Sequence, residues 1–87
     1  MNPDRNRTEE LISSLKQQRD EIGLRMHLAG AEAKQELEQL DDKLAQLTSK
    51  FEPLKVAVGE TSDDVWTSLT LVGEEIKRGF EKIRKSL

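Results

Sequence analysis

"MHLAGAEAK", residues 26–34, sits inside what otherwise reads as one long helix, with a glycine and three alanines where flanking turns carry leucine and isoleucine. The stretch is a break, a bend, or a place where another helix comes very close. Upstream, Ile12, Leu15, Arg19, Ile22, Met26, Ala29 and Ala33 follow alternating steps of 3 and 4. Downstream, Leu37, Leu40, Leu44, Leu47, Phe51, Leu54 and Val58 do the same. Both runs are heptad seams. They join through two successive steps of four at Ala29, Ala33 and Leu37, a stutter that unwinds a supercoil locally without ending a helix. One glycine costs about 1 kcal/mol inside a helix, and Glu32, Lys34 and Glu36 are good helix formers. A continuous helix over residues 8–52 is therefore expected, with a bend as the competitor. Gly23 and Gly30, in line with Leu37, Leu44 and Phe51, then predict close approach of a second helix.

The chain's 87 residues are 34% hydrophobic and 36% charged, with Phe51, Trp66 and Phe80 the only aromatics. Such a composition fills a narrow seam between helices rather than a thick core, and domains of this size often gain stability by associating. Without cysteine there are no disulfides or thiolate metal sites. The opening "MNPDRNRTEE" lacks the apolar run of a secretory signal, and no segment approaches the ~20 apolar residues of a membrane span. A cytoplasmic location is expected. The net charge of −3 argues against nucleic acid as the main partner.

Residues 1–7 are expected to fray. The first helix starts either with Asn2 as cap and Pro3 in the first turn, or with Thr8 as cap. "FEPLKVAVGETSDDVW" (51–66) holds the linker, 53–61: Pro53 disfavours helix or leaves one last turn over Pro53–Ala57, Gly59 is a C-terminal cap, and Thr61 or Ser62 caps the next helix, Thr61 forming a capping box with Asp64. A second helix is expected over 62–86. Its apolar face is read as Val65, Leu69, Val72, Ile76, Phe80, Ile83 and Leu87, again with a stutter and again beside glycines, Gly73 and Gly79.

A short connection makes the two helices antiparallel. The expected fold is all-α: an antiparallel, coiled-coil-like hairpin of one long and one shorter helix, dimerising into a four-helix arrangement. Its hairpin core would hold Leu37, Leu40, Leu44, Leu47, Phe51, Val65, Trp66, Leu69, Val72, Ile76, Phe80 and Ile83. Residues 32–64 carry nine acids and four bases, whereas residues 65–87 carry three acids and five bases, which favours the doubling back. The long helix would overhang. Leu11, Ile12, Leu15, Arg19, Ile22, Met26, Ala29, Gly30 and Ala33 are then expected to form a dimer interface with a second copy.

No catalytic signature emerges, and neither a cofactor nor a metal is expected. His27 has Leu24, not an acid, where a Glu-x-x-His metal motif needs one; it reads as a surface or interface histidine. Arg19, on the seam, either fixes register or snorkels to solvent. Trp66 caps the core near the turn or anchors a partner. Asp63 and Asp64 suit a helix N-terminus. "EEIKRGFEKIRKSL" (74–87) has a rival use: Ile76, Phe80, Ile83 and Leu87 beside Lys77, Arg78, Lys82, Arg84 and Lys85 form the pattern of a helix lying on anionic lipid. With Phe80 alone for stacking, nucleic-acid binding is weakly supported.

"RMHLAGAEAKQELEQLDDKL" and "GEEIKRGFEKIRKSL" together resemble a loose group of short bacterial coiled-coil proteins with a His-Leu-Ala-x-Ala-Glu-Ala-Lys centre and a basic C-terminal helix. The likeness covers about half of the chain. It implies a bacterial origin and no particular activity. The expected role is a structural, self-associating scaffold or a binder of a helical protein partner, without catalysis; the alternative is a peripheral membrane protein.

Overall fold

The computed structural model describes residues 3–56 and 63–87. Three α-helices account for nearly all of them: α1 Pro3–Arg25, α2 Ala31–Val56 and α3 Asp63–Ser86. Pro3 occupies the opening position of α1, where its missing N–H costs nothing, so residues 3–7 are helical rather than frayed. Acids begin α3 (Asp63, Asp64) and bases end it (Arg84, Lys85), matching the helix dipole. Pro53 does not end α2, which continues to Val56. The expected caps Asn2, Gly59, Thr61 and Ser62 lie outside the described residues.

The continuous helix expected over 8–52 is corrected. After Arg25 the chain tightens into a 3₁₀ turn, Met26–Leu28, closed by the Ala29 N–H donating to the Met26 carbonyl at 3.0 Å. Ala29 is extended (φ −91°, ψ 152°). The Gly30 carbonyl then accepts the first bond of α2, from the Lys34 N–H at 3.2 Å, which makes Gly30 the N-cap. No described glycine has a positive φ, and a Cβ at Gly30 would meet nothing within 4 Å. Gly30 therefore serves the break through weak helix propensity and its place as a cap, and its surroundings are open. At Gly23 the nearest atom is Nη1 of Arg19, at 3.4 Å. The close approach expected at these two glycines is absent.

Across the break the chain reverses. Glu9 pairs with Lys55 and Arg19 with Asp41, so α1 and α2 run antiparallel. Glu36 pairs with Lys82 and Lys43 with Glu75, so α3 runs against α2. Thr8 meets Thr70, and Leu11 lies over Gly73, so α1 and α3 are parallel. The molecule's longest extent is 45 Å, whereas an unbroken helix of about 45 residues would span about 70 Å.

This reversal also corrects the overhanging arm. Ile12, Leu15, Ile22 and Met26 are 5, 0, 2 and 9% exposed within one chain, and Leu11, Ala29 and Ala33 pack against the same core. Of the residues assigned to a dimer interface, Gly30 is exposed and Leu11, Arg19, Ala29 and Ala33 are half-buried. The surface reserved for a second copy is covered by the chain's own α2 and α3. The physical reason is size of effect. Burying four large apolar side chains stabilises by roughly 6–12 kcal/mol at about 1.5–3 each, as an upper estimate. Interrupting a helix forfeits a few hydrogen bonds worth about 1 kcal/mol apiece.

Close approach occurs instead on α3. A Cβ at Gly73 would stand 2.5 Å from Cδ2 of Leu11, and one at Gly79 2.6 Å from Cδ2 and 2.9 Å from Cδ1 of Leu40. One glycine admits a leucine from α1, the other a leucine from α2. Gly79→Ala should lower stability by about 1 kcal/mol, because overpacking at ~1–3 kcal/mol outweighs the ~1 kcal/mol propensity gain. In a Leu40→Ala background the same change should stabilise, and denaturant unfolding of the four proteins will show whether the sign reverses. Gly30→Ser, by contrast, should leave stability within about 0.5 kcal/mol of the parent in the same measurement, since the cap is kept and the space is free.

Candidate functional site

The phase of α3 decides which apolar side chains are left for function. Trp66, Leu69, Gly73, Ile76, Phe80 and Ile83 are buried, in steps of 3, 4, 3, 4 and 3. With Gly73 in the seam the heptad is unbroken, and the stutter disappears. Val65 and Val72, assigned to the core, are corrected: they are 39 and 40% exposed. A glycine that supplies close packing hides from a count of large apolar residues, which shifted the reading by one position. On α2, Leu37, Leu44, Leu47 and Phe51 are buried and Leu40 is half-buried.

The displaced valines open onto a groove of about 540 Å³ between α2 and α3. Leu47 and Leu69 form its floor side, and Val65 and Val72 its apolar wall. Lys43 and Lys50 stand on the α2 lip, Asp64 and Glu75 on the α3 lip. Lys43 Nζ reaches Glu75 Oε1 across one end at 3.5 Å. Leu71, one turn beyond Ser68 on the outer face of α3, is 59% exposed. The groove occupies the half of the α2–α3 pair away from the tight contact at Gly79.

Arg19 does not snorkel freely; it is held within the chain. Its Nε and Nη2 donate to Oδ1 and Oδ2 of Asp41 at 3.0 and 3.1 Å, a two-pronged latch between α1 and α2. The hydrogen bonds and charge of Asp41, with a smaller push from Asp20, raise the guanidinium's pKa above its ordinary value. Arg19 therefore stays charged throughout the working pH range. Asp41 as its partner was not legible, because the contact spans a reversal that the local pattern does not announce.

Trp66 is fully buried and meets Phe51 edge-on, ring centroids 6.0 Å apart at 68°. Its Nε1 is buried without a hydrogen-bond partner among the described residues. Thr8, considered as a helix cap, is fully buried and touches the Thr70 hydroxyl at 3.3 Å, while Thr70 donates to the Trp66 carbonyl at 3.0 Å. The signal was present: Thr8 continues the α1 seam four residues before Ile12. His27 is exposed, with Nδ1 3.2 Å from the Leu24 carbonyl. Among the described residues no cluster of three His, Cys, Asp or Glu could hold a metal ion, and no helix is long and apolar enough to cross a membrane.

Of the cations considered for lipid contact, Lys82 pairs with Glu36 at 3.6 Å, and Lys77, Arg78, Arg84 and Lys85 are exposed. Their apolar complement, Ile76, Phe80 and Ile83, points into the bundle. Leu24 and Leu28 project into solvent at the α1–α2 turn.

No family model matches the chain, and neither does any curated protein or solved structure.

Asp41→Asn should cost about 1 kcal/mol of stability at low salt, the upper range for a half-exposed ion pair with paired hydrogen bonds. The loss should shrink in ~1 M NaCl, where screening acts over about 3 Å; urea unfolding at both salt concentrations measures it.

Proposed function

We propose that this chain is a non-catalytic helical association module, a coiled-coil-like scaffold that holds another polypeptide against its three-helix bundle, with itself as the partner. The observation that carries this reading is the α2–α3 groove. A three-helix bundle of this size can close its own core, as the buried seams of all three helices show, yet Val65 and Val72 stay outside that core and line one groove. Apolar surface that a small domain leaves uncovered beside charged lips is the ordinary sign of a protein contact. A cytoplasmic setting and a homodimer complete the proposal.

A membrane role is less well supported. Ile76, Phe80 and Ile83 are within about 1% of full burial, so α3 would have to leave the bundle before it could lie on lipid. Sedimentation velocity over a concentration range of about 1 to 100 μM, which brackets a dimer of roughly −7 kcal/mol, should show the mean mass rising from the 9.9 kDa monomer toward twice that value. A constant monomer mass throughout would refute self-association, and flotation with anionic vesicles under the same conditions would then revive the lipid alternative.

A further inference from the structure

We propose that a second copy of this chain docks in the α2–α3 groove, about a two-fold axis parallel to the helices, so that α2 of each copy covers α3 of the other. The inference rests on the self-association reading and names the surface, the partner and the orientation.

Charge selects both partner and orientation. The two lips of the groove carry opposite signs, Lys43 and Lys50 on α2 against Asp64 and Glu75 on α3. A surface with one positive and one negative edge is complementary to itself when rotated about an axis that runs along it. Such a rotation keeps every residue at its own height and exchanges the edges. Lys43 and Glu75 already share a level, since they pair within the chain. They would therefore face the partner's Glu75 and Lys43. Lys50 and Asp64 form no ion pair with the described residues and lie on opposite lips. Their levels differ by about one helical turn, ~5 Å, within reach of a lysine side chain. A two-fold axis across the helices would instead lay lysine lip on lysine lip and acid on acid, which costs free energy.

Size is consistent with a pair that associates weakly. A face two helices wide, about 20 Å, and as long as the groove half of α3, about 18 Å, offers on the order of 360 Å² per copy. Standard interfaces bury about 800 Å² per partner. Val65 and Val72 supply the apolar centre, and Leu71, on the outer side of α3, reaches toward the partner's α2. The turn leucines Leu24 and Leu28, though more exposed, lie at the other end of the bundle.

The dimer dissociation constant, read by sedimentation equilibrium beside circular dichroism, tests the proposal with the full chain. Val72→Glu, at an exposed position, should keep the helical spectrum and weaken association at least about tenfold. Lys50→Glu and Asp64→Lys should each weaken it about threefold or more, and the two together should restore it toward the parent value. Leu28→Asp should leave it unchanged. Dimerisation that survives Val72→Glu, or a charge-reversed pair no better than its single variants, overturns the docking surface while leaving self-association intact. A parent chain that remains monomeric throughout overturns both.

Discussion

The apolar stripe of α1 must be covered, and the chain covers it with its own C-terminal helix. Thr8, Ile12, Leu15, Ile22 and Met26 are all buried in the bundle, and this contact brings Thr8 against Thr70 and Leu11 against Gly73. Because α1 and α3 are separated by the whole length of α2, they can meet only if the chain turns twice. The first turn falls at Met26–Gly30, where alanine and glycine leave little side-chain packing to lose. Once it is made, α3 lies beside both other helices, and the remaining contacts follow from its surface.

That surface is shaped for two neighbours at once. Gly73 lets α1 come close and Gly79 lets α2 come close, each by receiving a leucine where a methyl group would stand. Large side chains fill the seam between them, with Trp66 set edge-on against Phe51 at the end nearest the α2–α3 connection. The polar contacts then confirm a packing chosen by shape. Arg19 with Asp41, Lys55 with Glu9, Lys43 with Glu75 and Lys82 with Glu36 each join different helices, and pairs of this exposure stabilise by no more than about 1 kcal/mol each. Their arrangement disfavours alternative registers more than it adds to overall stability.

The same geometry explains where apolar surface is left exposed. Alignment of the α3 seam on Trp66, Leu69, Gly73 and Ile76 turns Val65 and Val72 toward the outside. Had Val65 and Val72 been the seam, the groove would have closed and Trp66 would have been the exposed anchor. A one-position shift of phase thus exchanges a buried valine for a buried glycine and leaves an apolar wall between oppositely charged lips.

What the amino-acid order determined alone was local: helix almost throughout, the heptad seams of α1 and α2, and the acidic and basic ends of α3. It also marked residues 26–34 as the unusual stretch. What only the tertiary structure decided was that this stretch is a reversal, that Arg19 belongs to Asp41, and that Gly73 rather than Val72 is core. Helix propensity distinguishes a glycine from an alanine by about 1 kcal/mol, which left a continuous helix the better local choice. The several-fold larger gain from burying four α1 side chains exists only when α3, some sixty residues away, is there to cover them.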